Sequence, residues 1–219
     1  MSITDAHIAA IITGAAGISG VLLGNFFVAI KEWIVSGKSS RSKRAYLAIL
    51  VVSHLDRFAN GCVCVGNDDG TCEGRPAGGN GEYFQTTVTP PLFLPLDIEV
   101  EWQTLPTDLL YEIFQIPEKH EQIAIRLSNV WEYDDPPDYN IFFSTRQRDY
   151  AELGIHVSAV AKRLRRHATL PVQDQGLLDW SREAELQKII DRVDSERAAQ
   201  NKRRAEARLK FVDYPLAPG

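Results

Sequence analysis

The 219-residue sequence is poor in sulfur: it has one methionine and three cysteines, Cys62, Cys64 and Cys72. Three closely grouped cysteines cannot build a disulfide framework for a chain of this size. There is no excess of positive charge. Lys plus Arg is 24 against 29 for Asp plus Glu, a formal net charge of -5. A surface that is mainly a nucleic-acid footprint is therefore not expected, and no nucleic-acid partner follows. No internal repeat is visible, and the spacings HExxH, GxSxG, GxGxxG and the P-loop are absent. The histidines His54, His120, His156 and His167 are dispersed. No catalytic constellation emerges from these residues, so no enzyme activity and no cofactor are expected.

Charge is also missing from one long stretch. Ile8 to Ile30 carries no ionisable side chain, and its only polar ones are Thr13, Ser19 and Asn25. At 1.5 Å per residue such a helix covers roughly 34 Å, enough for a hydrocarbon core of about 30 Å. It lacks the polar face of an amphipathic helix and the basic leader of a cleaved signal peptide. The expectation is a retained single-pass anchor with membrane lipids as partners. Lys31, Lys38, Arg41, Lys43 and Arg44 follow the stretch, while only Asp5 and His7 precede it. Basic flanks stay cytoplasmic, so the amino terminus is expected outside the cell membrane and the body in the cytoplasm. Lys38, Arg41, Lys43 and Arg44 form the cluster expected to face lipid headgroups. Ala16, Gly20 and Gly24 recur at spacing four and include a GxxxG element, the small-residue face that lets two membrane helices approach. Homo-oligomerisation through this helix is expected.

The remainder reads as a mainly α protein, a cytoplasmic antiparallel helical bundle with a long Gly/Cys-rich loop and a short extended segment. We divide the chain into an anchor (1–37), a basic juxtamembrane link with the first bundle helix (38–60), and a Gly/Cys/Pro-rich loop with the extended segment (61–104). The bundle body (105–170) and a charged carboxy-terminal helix and tail (171–219) follow. The apolar spacing predicts a helix over 42–58, too short to span a bilayer. Seven glycines between 61 and 81 predict a loop. Within it, Asn67-Asp-Asp-Gly70 lacks the ligand spacing of a calcium loop and predicts a turn. Residues 96–102 alternate apolar and acidic, the pattern of a half-buried strand or of an extended segment laid on the bundle.

Thr107 is expected to cap a helix ended by Pro117, with a second helix over 118–133. Asp138 is expected to cap the next helix, 139–167. That helix carries the series Phe143, Tyr150, Val157, Leu164 and the partner series Arg146, Leu153, Val160, His167. A final helix over 177–210 starts with the stripe Leu186, Ile189, Ile190 and Val193. It ends charged on all sides, with a basic bias from Lys202, Arg203, Arg204, Arg208 and Lys210, a candidate surface for a protein partner. The candidate metal ligands are Cys62, Cys64, Cys72 and His54, although Cys62-Val-Cys64 has one intervening residue where structural zinc sites use two to four.

Three functions fit. The leading one is a non-catalytic membrane-tethered helical interaction and oligomerisation module at the cytoplasmic face of a membrane. The alternatives are a membrane-perturbing oligomeric effector whose bundle senses a signal, and a metal-binding or enzymatic protein centred on the Cys loop.

Overall fold

The computed structural model describes residues 41–171 and 181–212, with side chains as far as 207. The anchor at 8–30, its packing face Ala16, Gly20 and Gly24, and Lys38 lie outside the described residues. The chain divides into two compact units, 1–46 and 47–219. Of the first unit, residues 41–46 are described. They form the opening turns of a helix in which Arg41 and Lys43 are exposed and Arg44 is half-buried.

The protein is mainly helical. Four long helices, α1 (Arg41–Gly66), α2 (Thr107–Tyr133), α3 (Asn140–His167) and α4 (Arg182–Val212), make up most of the described residues. The sheet is one antiparallel pair of two-residue strands, β1 (Thr71–Cys72) and β2 (Arg75–Pro76). In the second unit α1 supplies the centre of the core. Leu47, Ala48, Val51, Leu55, Phe58, Ala59, Cys62 and Val65 are all buried, at the three- and four-residue spacing of one helical face. Burying each large apolar side chain contributes roughly 1.5–3 kcal/mol.

By length and composition α1 is long and apolar enough to cross a membrane. It runs eight residues past the expected end at Phe58. Its apolar face is covered by the other helices, while Ser53, His54, Arg57 and Asn60 are exposed. That is the distribution of a bundle's central helix.

α1 continues through Gly61 and Gly66 because those glycines serve packing. A Cβ at Gly61 would lie 2.6 Å from Pro91, and one at Gly66 would lie 2.9 Å from Ile189 of α4. Gly154 of α3 does the same between two neighbours, where a Cβ would lie 2.9 Å from Cys62 and 3.0 Å from Leu186. Small residues at these points let three helix backbones close on one another.

α2 is one helix, not two, with Pro117 inside it. Ile113 and Ile116 just before the proline are fully buried and Leu127 beyond it is buried, and that burial outweighs the one backbone bond the ring removes. Thr107 is the first helical residue and Pro106 is the cap, so the expected Thr107 cap does not form. In α3 the cap is Tyr139 in the left-handed region, and the carboxylate serving the helix start is Asp134, which accepts the Phe142 amide at 2.7 Å. Asp138 accepts instead from Asn140.

Seven of the eight residues in the two α3 series are buried, namely Phe143, Arg146, Tyr150, Leu153, Val157, Val160 and Leu164, while His167 at the helix end is half-buried. Residues 96–102 are not a strand. They form an extended segment bracketed by 3₁₀ turns at Pro95–Asp97 and Trp102–Thr104, with Ile98 inward and Asp97, Glu99 and Glu101 outward.

Candidate functional site

Among the described residues, polar side chains link the elements of the bundle in three clusters, some buried and some reaching the surface. The first joins the glycine-rich loop to α3. Asp68 is buried, and its carboxylate accepts the amides of Gly70 (3.1 Å), Thr87 (3.0 Å) and Val88 (3.1 Å), the Thr87 hydroxyl (2.8 Å) and Arg146 Nη1 (2.7 Å). Arg146 also donates to the Val88 carbonyl, and Gln147 donates to the Asp68 carbonyl at 3.0 Å. Burial alone would raise the Asp68 pKa. The hydrogen bonds from Thr87, Val88 and Gly70, with the Arg146 charge, overcome it and hold the carboxyl below its ordinary value. Gly70 sits at φ +78° under the Phe143 ring, where a Cβ would approach to 2.4 Å. Asn67-Asp-Asp-Gly70 is thus a turn whose side chains bond its own backbone, as expected, and Asp68 has no lone pair left for a cation.

The second cluster ties three helices together. Asp56 of α1 accepts from Arg165 of α3 and from Arg182 Nη2 of α4 at 2.8 Å. Arg182 further donates to the Asp56 carbonyl, Asn60 and Ser158.

The third runs along the α2–α3 seam. Arg163 pairs with Asp108 and Glu112, Lys119 meets His156 at 3.2 Å, His120 meets the Tyr150 hydroxyl at 3.0 Å, and Arg126 meets Asp149 at 3.1 Å. Burial lowers the His120 pKa. Burial, then the Lys119 charge, lowers that of His156 against the opposing pull of Glu112. Burial pushes the Tyr150 phenol up to about 12. The Asp149 pKa is also raised by burial, against partial relief from Arg126, and its Oδ2 has no hydrogen-bond partner among the described residues.

Comparison of the chain with family models, curated proteins and solved structures finds no match.

The candidate metal ligands are not brought together. His54 is exposed on α1, and Cys62 lies eight residues further along, roughly 12 Å up the axis. Cys62 is buried against Gly154, and burial pushes its thiol pKa up. Cys64 and Cys72 are exposed, on α1 and β1. The described residues contain no group of three or more His, Cys, Asp and Glu placed to hold an ion.

Chemistry at the surface is of a different kind. A shallow groove of about 530 Å³ runs between α2 and the start of α3, lined by Ile125, Val130, Tyr133 and Ile141 with Gln122, Arg126 and Asn129. A polar groove of about 450 Å³ lies between the start of α3 and α4, with Arg192, Glu196, Arg197 and Arg203 of α4 and Asp69 and Asp138 among its lining residues. Past Arg197, which donates to Ser144 and Thr145, α4 is exposed on every side from Ala198 to Ala207. Leu92, Leu94 and Leu96 are exposed at alternate positions of a proline-braced segment. Sequence periodicity did not single out these leucines, because their neighbour Phe93 is equally apolar and only the fold decides which side faces out.

Proposed function

We propose that the protein is a non-catalytic helical interaction and oligomerisation module, tethered by the apolar stretch 8–30 with its body at the cytoplasmic face of the cell membrane. The observation that carries this reading is the end of α4, a helix that continues after its apolar stripe ends and is exposed on every side from 198 to 207, with Lys202, Arg203, Arg204 and Glu206 as its charged side chains there. A helix of that length has little stability of its own, and most helical stability comes from packing one face on something else. The interior supports the same reading. Asp56 joins Arg165 of α3 and Arg182 of α4, and Asp68 with Arg146 joins the loop to α3, so these ionised groups serve as ties within the bundle.

Alkaline washing of membranes, light scattering of the detergent-solubilised full chain, and thiol labelling from either side of the membrane test the proposal. Retention in the membrane, a mass above the monomer, and labelling of Cys64 and Cys72 from the cytoplasmic side are expected. A protein that washes off, or a strict monomer with a reactive outer face, would overturn it.

A further inference from the structure

The surface carries two features of opposite character. On one flank, Leu92, Leu94 and Leu96 are 71%, 49% and 81% exposed, while Phe93 and Pro95 between them are buried. Phe93 packs edge-on to Phe58, and Pro91 lies against Gly61, so the ridge is fixed to the middle of α1. The same edge continues into exposed Asp97, Glu99 and Glu101, a charge of −3 beside three leucines. Neither Asp97 nor Glu99 is in an ion pair among the described residues. The other feature is the end of α4, where Lys202, Arg203 and Arg204 are exposed in succession with small alanines around them.

These surfaces are complementary in charge, and within one chain they cannot meet. α4 runs parallel to α1: Arg182 bonds Asp56 and Asn60, and one helical stretch later Ile189 lies against Gly66. From Phe58 to Gly66, and from Ile189 on to Lys202, the axial rise is roughly 30 Å in total. α4 is one continuous helix over that distance and cannot turn back.

We infer that the leucine ridge with its acidic edge is the docking surface for the basic end of α4 from a second copy of this chain. The inference rests on the oligomerisation proposed above and assigns it a surface in the body. Leucines would be covered by the aliphatic stems and alanines of the incoming helix, and Asp97 and Glu99 would face Lys202, Arg203 and Arg204. If two chains dock reciprocally, the contact is two-fold and closed; if not, it builds chains of copies.

The test is a charge-swap cycle in the detergent-solubilised full chain, followed by sedimentation, with far-UV circular dichroism confirming that each variant is folded. Asp97→Lys with Glu99→Lys is expected to weaken self-association at least about tenfold, and Lys202→Glu with Arg203→Glu and Arg204→Glu to do the same. Carrying both sets in one chain restores it. Cysteines placed as Leu96→Cys in one tagged copy and Arg203→Cys in another are expected to cross-link between copies.

Loss of the oligomer on Gly20→Leu with Gly24→Leu, together with indifference to every charge swap, would overturn the docking surface and leave the membrane-helix oligomer standing. A monomer throughout would overturn both. Quenching of a fluorophore at Leu96→Cys by brominated lipid, without cross-linking, would assign the ridge to the bilayer and overturn the contact between copies.

Discussion

Asp68 and Asp149 are both buried carboxylates that meet an arginine, and they fare in opposite ways. Asp68 accepts five donors and its pKa falls, whereas Asp149 has one oxygen on Arg126 and another with no partner among the described residues, and its pKa rises. The difference lies in the number of donors, not in the arginine. A loop folded around a carboxylate can aim several backbone amides at it. A carboxylate on the face of a helix meets only what the neighbouring helix happens to present. The knot around Asp68 therefore fixes the loop and its leucine segment to α3, while the α2–α3 seam is the weaker join.

The largest effect expected from breaking this contrast is at Arg146. Arg146→Met leaves a buried, charged carboxylate without its partner and should cost about 3–5 kcal/mol. Urea unfolding of the full chain, followed by tryptophan fluorescence, measures it. Adding Asp68→Asn to Arg146→Met should recover part of the loss, since the charge goes with its partner. A loss below about 1 kcal/mol, the value of a surface pair, would mean that the knot does not hold the loop.

Acid should separate the two regions next. His120 and His156 have folded pKa values below the ordinary 6.5, so the folded state binds fewer protons than the unfolded one. Their contribution is fully present above 6.5 and is lost as the pH falls through the folded values. Asp68 has the same sign but starts from an ordinary value of 3.8, so the knot loses its contribution only below that. As the pH falls from 6.5 the two histidines should weaken the seam while the knot holds, and protonation of Asp149, whose pKa is raised, offsets part of that loss before 3.8 is reached. Hydrogen exchange on α2 should accelerate in that window before exchange at residues 68–88. In His120→Gln with His156→Gln the acceleration should be much reduced. Simultaneous loss of both regions would erase the distinction.

The sequence patterns made some of this legible and hid the rest for identifiable reasons. The two seven-residue series of α3 marked its buried face, including Arg146, because a helix buried on one side must repeat at that spacing whatever the residue type. Its partner could not be read, since Asp68 is 78 residues away and the contact depends on how the loop closes. Pro117 and the glycines at 61 and 66 misled for one reason: each is a local helix breaker, and each is overruled by packing across the bundle. The anchor and the small-residue face within it rest on sequence alone, as none of residues 8–30 is described. The leucine ridge needed the fold, because five apolar residues in a row, Pro91 to Pro95, do not reveal which of them are covered.

The smallest expected change is also the sharpest probe of the seam. Asp149→Asn keeps an oxygen for Arg126 and replaces the unpartnered oxygen with an amide that carries no charge. The pKa of Asp149 is raised on folding, so the folded state holds its proton more tightly and the ionised form is penalised. That penalty is absent below the ordinary value of 3.8 and complete above the folded value. Asp149→Asn should therefore be neutral or stabilising above the folded value, by about 1 kcal/mol or less. Its advantage over the wild type should shrink to nothing as the pH falls toward 3.8. Paired urea titrations of the two chains across that range give the difference directly, free of the histidine contribution that both share. If Asp149→Asn is instead destabilising at neutral pH, Asp149 is held by donors as Asp68 is, and the two carboxylates are alike after all.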